Sequence, residues 1–417
     1  MFSDLRLIVI NILFVILFLL LFLIIAVVLR RILHARKYKE LDKQREFYNE
    51  KLWTAFHSGQ ALQEITFFSA SPVSVKWQAI EDVLLSFMSD EVLKGDVKSM
   101  FGRLGYISYY EKQMKKNYIV KAAAIDKLGK MFSDASVGVI VGQLKDKNPE
   151  VIAVSIRALS RIGDINGLKS LLDFLPQLVE KGLVSRKTIE TSLVNFGKGA
   201  VPVFLDYGKR SLNPKIIAFI LEALSNLDDK RTLPFAAEKL KNTDPEVRSK
   251  ALKAIGMIAA DSTDFDGQLV LPLLEDPVWF VRLQAAKVLG NLKCEKKCFD
   301  TLAGLLLDEK WQVRNAAATA LTKYGNASLE IFLKALQYKD QYAKESICEE
   351  IEKTNYVYRL IENLASDNRE IYSKSREILN IMHSLNFVTP MVEYMQRGGR
   401  DKISSTLERI LQAAAGA

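Results

Sequence analysis

The stretch that decides the fold runs from Leu240 to Ala259 and reads LKNTDPEVRSKALKAIGMIA. It predicts a turn followed by an amphipathic helix, because Asp244 is a favoured helix cap and Pro245 suits the first helical turn, where its missing N–H costs nothing. From Val247 onwards the apolar residues follow at helical spacing, which places them on one face. A single helix cannot bury such a face alone, so the pattern predicts packed neighbours.

The same pattern recurs along the chain with a period of 31 to 34 residues, in the range of helical solenoid repeats. If Val247 is taken as the anchor, the equivalent positions are Val120, Val151, Val184, Ile216, Val281 and Val313. Five places after each anchor stands an apolar residue: Ile125, Ile156, Ile189, Leu221, Leu252, Ala286 and Ala318. The residues four places on are mostly small, which lets adjacent helices approach closely. The recurrence predicts a row of helical hairpins.

Two further columns of residues resemble the HEAT repeat family. Its signature has an Asp or Asn in the turn and a basic residue after the apolar residue that opens the second helix. The matching turn residues, five places before their anchors, are Asp146, Asn242, Asp276 and Asp308. The matching basic residues are Lys121, Arg248, Arg282 and Arg314. The resemblance implies that these two columns pair between successive repeats as a ladder, interrupted at Val184 and Ile216, where both are missing.

The predicted fold is all-α, with an N-terminal transmembrane helix and stalk followed by a right-handed α-solenoid of HEAT-like helical hairpins. Because each repeat of a solenoid touches only its neighbours, the length of 417 residues does not imply separate globular domains. The expected segments are a transmembrane anchor (1–29), a basic juxtamembrane helical stalk (30–57), an irregular N-terminal cap repeat (58–112), regular HEAT-like repeats (113–325), and degenerate repeats with a C-terminal cap (326–417).

Residues 7–29 form an uncharged, mostly apolar run of 23 residues. As a helix the run would reach about 35 Å, enough to cross a hydrocarbon core of about 30 Å. A cleaved signal peptide is the rival interpretation, but its apolar region spans about 7 to 15 residues and ends at a small-residue cleavage site. This run is longer and ends in Arg30 and Arg31. It therefore predicts an uncleaved anchor through which the protein contacts the lipid bilayer.

The charges that follow this run predict the orientation. Residues 30–45 carry an excess of five positive charges, and the positive-inside rule places this side in the cytoplasm. A total of three cysteines also agrees with a reducing compartment, because an odd small number does not suggest a disulfide framework. The expected location is the inner or plasma membrane, with a single pass and cytoplasmic repeats.

The basic excess is concentrated beside the predicted membrane, since the chain carries +9 overall and only +4 outside residues 1–45. Attraction to anionic headgroups, worth about 1 kcal/mol per basic residue, is one role for it. Setting the topology alone is the other, and the two remain open. Nucleic-acid binding is less favoured. The membrane-surface cluster consists of Arg30, Arg31, Arg36, Lys37 and Lys39.

Residue types that carry chemistry are sparse and scattered. His34, His57 and His383 lie in different segments, so a His-based triad or metal site is not predicted. Cys294 and Cys298 are four residues apart, with no second Cys or His pair to complete a metal site. No catalytic residue, metal ligand or cofactor contact is assigned, and the protein is not expected to be an enzyme.

Two aromatic features have a structural and a binding interpretation. Tyr106 to Tyr118 interleaves tyrosines with lysines, a pattern that can stack bases and contact phosphates. An outer helix with inward rings explains the same alternation without a ligand and is preferred. Trp279 and Trp311, two places before their anchors, are predicted to pack between repeats rather than to contact a cofactor.

The predicted function is a membrane-anchored scaffold or adaptor that binds a protein partner, itself associated with the membrane, on the surface of the second helices. The domain arrangement resembles bacterial single-pass proteins with HEAT arrays, which implies an accessory subunit of an inner-membrane enzyme complex such as a glycosyltransferase. A nucleic-acid-binding HEAT-like solenoid held at the membrane is the alternative. The candidate partner surface is a mildly basic strip suited to an acidic protein segment: Lys250, Lys253, Lys287, Asn315 and Lys323.

Overall fold

The structure is a computed structural model that describes residues 2–60, 63, 65–260, 265–292, 297–398 and 401–412. Throughout these residues the regular elements are helices and none is a strand. The prediction of an all-α fold built from helical hairpins is confirmed. The chain divides into two compact units, residues 1–171 and 172–417.

The first unit begins with one long helix that ends in its core. Residues 16–40 of this helix are exposed, and the first buried residue after them is Leu41. Its last four turns pack on the third helix, which places Tyr48 and Leu52 in the core of the unit. Short 3₁₀ helices occur at Asp134–Ser136 and Gln143–Lys145. The helices are α1 (Phe2–His57), α2 (Ile65–Phe68), α3 (Val75–Phe87), α4 (Lys94–Arg103), α5 (Tyr106–Gln113), α6 (Tyr118–Lys130), α7 (Val137–Gly142) and α8 (Pro149–Ile162), with α9 (Ile165–Lys181) crossing into the second unit.

In the second unit, inner helices, which carry the anchor residues, alternate with outer helices, which do not. Its 3₁₀ helices are Lys198–Ala200, Lys230–Thr232, Gly267–Glu275, Gly325–Ser328 and Asn363–Ala365. Its α-helices are α10 (Arg186–Asn195), α11 (Val201–Arg210), α12 (Pro214–Leu227), α13 (Leu233–Lys239), α14 (Pro245–Ile258), α15 (Trp279–Leu289), α16 (Lys297–Leu305), α17 (Trp311–Thr322), α18 (Leu329–Leu336), α19 (Gln341–Lys353), α20 (Tyr356–Glu362), α21 (Arg369–Ser384), α22 (Thr389–Gln396) and α23 (Asp401–Gln412).

The inner helices are the ones opened by the anchor residues, and in the second unit α12, α14, α15, α17 and α19 pack in succession. Asp244 caps α14 as predicted, because its Oδ1 accepts hydrogen bonds from the Glu246 and Val247 amides at 2.8 and 3.2 Å. Every residue five places after an anchor is at most 1% exposed. The prediction is wrong for Val184, which lies outside its inner helix because α10 begins at Arg186.

Glycines near the ends of three inner helices allow the close packing. A Cβ added to Gly290 would lie 2.8 Å from Ala320 Cα, and one added to Gly129 would lie 2.7 Å from Ala158 Cα. A Cβ added to Gly256 would lie 2.9 Å from the Cγ2 methyl of Val288. Each glycine stands nine places after its anchor, so its missing side chain sets how near the next inner helix can come.

Candidate functional surface

The predicted ladder residues lie together at three junctions. Within the first unit, Lys121 Nζ donates to Asp146 Oδ2 at 2.7 Å. In the second unit, Arg248 donates to the Asp276 carboxylate through Nε at 2.7 Å and through Nη2 at 2.9 Å. Each of these pairs therefore links the inner helix of one repeat to the turn of the next.

Arg282 grips Asp308 with the same two-nitrogen geometry, at 2.7 and 3.0 Å. Burial alone would raise the pKa of Asp308, but hydrogen bonds from Arg282 and the Lys310 amide outweigh it and lower the pKa. Arg282 also donates through Nη1 to the Asp276 carbonyl at 2.9 Å. Each arginine thus holds its own turn in place and reaches forward to the next one.

The ladder stops on both sides of these repeats. Asn242 has no basic partner in the preceding repeat, because the buried Ile217 occupies the position of the basic residue there. Arg314 donates through Nη1 to the Asp308 carbonyl at 2.9 Å, as its predecessors do to theirs. Its buried Nε has no hydrogen-bond partner among the described residues, and Tyr338 stands five places before Ala343, where an Asp would continue the pattern.

The predicted partner strip is partly neutralised by the protein itself. Lys250 and Lys253 both donate to the carboxylate of Glu222, at 2.7 and 2.5 Å. Burial would raise the pKa of Glu222, but the two lysines outweigh it and lower the pKa to about 2. This glutamate lies in the middle of α12, a helix that is otherwise apolar and buried along most of its length. Glu222 therefore offsets one of the two lysine charges and engages both ammonium groups.

The other three strip residues differ in how free they are. Asn315 donates to the buried Glu350 at 3.1 Å and accepts from Ser346. Lys323 donates to Asn291, and Lys287 is exposed. The strip therefore presents fewer free positive charges than its composition suggests.

Each of the two units contains cavities lined by described residues. In the first unit, about 410 Å³ lies beside Trp77 and the buried Glu81, which Lys127 and Tyr110 bind at 2.9 Å. In the second, about 720 Å³ lies between α16 and α18, with an apolar lining that includes Leu307 and Ile331. A third cavity of about 500 Å³ lies at the carboxyl ends of α17 and α19 and has a polar lining.

Comparison with known proteins agrees with the ladder geometry. A sequence profile described as HEAT repeats matches residues 267–352, the segment that contains the Arg282–Asp308 junction. Residues 267–352 match the HEAT repeat family. A search of curated proteins gives no significant match.

Several solved structures are similar to this chain at low identity. An engineered protein is 16% identical with a TM-score of 0.36, covering 84% of this chain and 97% of that one. Kap121p is 14% identical with a TM-score of 0.35, covering 84% of this chain and 50% of its own. The CpcE–CpcF complex of phycocyanin lyase from Nostoc sp. PCC7120 is 18% identical with a TM-score of 0.26, covering 67% and 94%.

The tryptophans of the HEAT repeats do not both pack as predicted. Trp311 is 58% exposed at the first turn of α17, whereas Trp279 is half-buried and meets Phe280 edge-on. The prediction of repeat packing is wrong for Trp311. Three tyrosines of the Tyr106–Tyr118 stretch do pack: Tyr106 is buried against Trp77, with ring centroids 3.8 Å apart, and Tyr109 and Tyr110 are partly buried against the same core. Tyr118 is 52% exposed.

Few groups suited to chemistry converge among the residues that the structure describes. Among the described residues no three His, Cys, Asp or Glu side chains are placed to hold a metal ion. Cys294 and the side chain of Cys298 lie outside the described residues. Cys348 is buried in α19, and burial raises the pKa of its thiol to about 12, which keeps it protonated and unreactive at neutral pH.

The sequence did not predict the three buried glutamates. Glu81, Glu222 and Glu350 are at most 9% exposed and each binds side chains of a neighbouring inner helix. For Glu222 a signal existed, because a lone acid within an apolar helix demands a buried partner. The identity of that partner depends on the register between helices.

Proposed function

We propose that this protein is a membrane-anchored scaffold whose HEAT repeats hold a protein partner on the cytoplasmic side of the membrane. The observation that carries the proposal is the continuity of α1. Within its described side chains, α1 provides an apolar segment with the length and composition of a membrane span, and the same helix ends in the core of the first unit. The apolar side chains from Ile16 to Leu29 are about half exposed or more, so they are not spent on the protein's own core.

The stalk makes this connection a stiff one. An α-helix rises about 1.5 Å per residue, so residues 30–40 hold the first unit about 16 Å from the end of the apolar segment. The membrane-surface cluster, Arg30, Arg31, Arg36, Lys37 and Lys39, lies on this exposed part. Its charges are placed to face anionic headgroups or the aqueous layer next to them.

Membrane anchoring is tested by extraction of the full-length protein from cell membranes. We expect it to stay in the pellet after washing at high pH and high salt and to dissolve only in detergent. Protease added to the cytoplasmic side should degrade the repeats, whereas protease on the outer side should leave them intact. Release of the intact protein by the alkaline wash, or a mature N-terminus after Arg31, would contradict the anchor.

The finer proposal is that the protein is an accessory subunit of an inner-membrane enzyme complex, such as a glycosyltransferase, and is not itself the enzyme. Lys287 is an exposed residue of the predicted strip and can carry a photo-crosslinking amino acid without breaking a side-chain contact that the structure describes. The matched control is the same substitution at Glu238, 60% exposed on the outer helix α13. We expect a discrete protein adduct at position 287 that position 238 does not give.

The alternative, nucleic-acid binding, makes a different prediction in the same experiment. Crosslinks to RNA or DNA would appear at position 287, and binding would fall steeply between low and physiological salt. Identical adducts at positions 287 and 238 would show that the strip is not the binding surface.

A further inference from the structure

The polar cavity at the carboxyl ends of α17 and α19 brings together two cations from different repeats. It has a volume of about 500 Å³ and includes Lys323, Thr354, Arg359 and Glu362 in its lining. Lys323 caps the carboxyl end of α17, where the helix dipole stabilises a positive charge. Arg359 projects from the short helix α20. The cavity therefore has a basic side that was only partly predicted, through Lys323.

Arg359 is exposed and has no internal counter-ion among the described residues. Its guanidinium lies against Gly325, so that a Cβ added there would be 3.2 Å from Nη1 and 3.5 Å from Cζ. Gly325 has φ +62°, which a glycine adopts without strain. Among the described residues no hydrogen-bond acceptor or carboxylate is bound to this guanidinium. A planar fork of N–H donors therefore faces the cavity ready for an anion.

The neighbouring polar groups are already engaged. Thr319 donates its hydroxyl to Glu350 at 2.7 Å, and Thr354 donates to the Glu350 carbonyl at 2.6 Å. Lys323 uses one donor on Asn291, which is neutral, so its charge remains. Arg359 and Lys323 together with the single carboxylate of Glu362 leave the lining with one net positive charge. One carboxylate would neutralise this charge. A doubly charged phosphate would leave an excess negative charge next to Glu362.

We propose that this cavity binds a carboxylate side chain from an acidic segment of the protein partner, with the Arg359 guanidinium as its principal contact. This inference rests on the proposed scaffold function and moves the anchoring point within the predicted strip. Lys250 and Lys253 are less suited to this contact, because both ammonium groups already bind the buried Glu222, whereas the Arg359 guanidinium has no acceptor among the described residues. The volume exceeds that of one carboxylate, so the residues flanking the acid enter with it.

The test uses full-length protein in detergent and a fluorescently labelled hexaglutamate peptide as the probe. Arg359→Gln should weaken binding of the peptide by at least about tenfold, because it removes a charge-assisted fork. Lys334→Gln is the matched control, since Lys334 is a 69% exposed cation on the outer helix α18, and it should bind as the wild type does. Glu362→Gln should tighten binding. Equal affinity of wild type and Arg359→Gln would overturn the proposal.

Two further arms separate the ligand source from the scaffold function. Inorganic phosphate at the peptide's half-saturating concentration should compete poorly; strong competition would overturn the carboxylate assignment in favour of a phosphate site. The crosslink at position 287 is then repeated in the Arg359→Gln protein. A reduced yield of the partner adduct supports the proposal, and an unchanged yield overturns it while leaving the scaffold function standing. A wild-type chain that gives no protein adduct rejects the scaffold function, whatever the peptide shows.

Discussion

Two neighbouring junctions of the second unit join their inner helices by different polar contacts. Between α14 and α15, Arg248 at the start of one helix binds Asp276 in the next turn. Between α12 and α14, Glu222 in the middle of one helix binds Lys250 and Lys253 on the other. Ile217 occupies the ladder position of α12 and leaves no base for a turn contact. The repeat that lacks the ladder is instead joined through Glu222 on the face of its inner helix. This contact engages two lysines that would otherwise be free to bind a partner.

The largest expected effect comes from breaking the ladder junction. Asp276→Asn keeps an acceptor for the Val278 amide but removes the charge that Arg248 needs, and both side chains are at most 12% exposed. Leaving a buried arginine unpaired should cost roughly 3 kcal/mol. Hydrogen exchange of the α14 and α15 amides measures it locally in the full-length protein. Asn242→Asp is the control, because the preceding repeat has no basic residue that faces position 242. A loss of protection there as large as that in Asp276→Asn would show that the ladder pair is not what stabilises the junction.

Acid should act on the other junction. The pKa of Glu222 is lowered from 4.5 to about 2, so its contribution to stability is present above pH 4.5 and is lost as pH falls towards 2. The linked free energy is at most about 3 kcal/mol. Protection of the α12 and α14 amides, measured relative to the intrinsic exchange rate at each pH, should therefore fall between pH 4.5 and 2 in the wild type. In Glu222→Gln this dependence should be absent; if the two proteins respond alike, another group is responsible.

Packing at the helix ends can be tested with two glycines. Gly290→Ala puts a Cβ 2.8 Å from Ala320 Cα and should cost about 1–3 kcal/mol, because backbone must move to admit it. Gly304→Ala in α16 meets nothing within 4 Å and should stabilise by about 0.5–1 kcal/mol through helix propensity. Thermal unfolding followed by circular dichroism compares them. Equal destabilisation would mean that close approach is not what the inner-helix glycine provides.

The smallest effect is expected at the end of the ladder. Arg314→Met removes a side chain whose Nε has no partner among the described residues, so the loss should stay within about 1 kcal/mol. Arg248→Met, by contrast, leaves Asp276 buried without its base. Hydrogen exchange of the two variants should separate them clearly, and a loss at Arg314 as large as that at Arg248 would contradict the open ladder end.

Much of the fold was predictable because it depends on short-range pattern. The column five places after the anchors is buried in every repeat, as a helix with one apolar face requires. The pairings of Arg248 and Arg282 lie where the family resemblance implies them. Trp311 was not predictable: its exposure depends on what the next repeat places over the first turn of α17, and nothing in the local pattern encodes that.

The sequence by itself determined that the chain is a series of helical hairpins following a long apolar helix, because helical periodicity, caps and turns act within about ten residues of each other. Only the tertiary structure decided which charges remain for a partner. Lys250 and Lys323 look equivalent in the sequence, yet Lys250 binds a buried glutamate across the helix junction. Lys323 binds the neutral amide of Asn291 and lines a cavity together with Arg359. That difference arises from the register of neighbouring helices, which brings together residues about 30 positions apart.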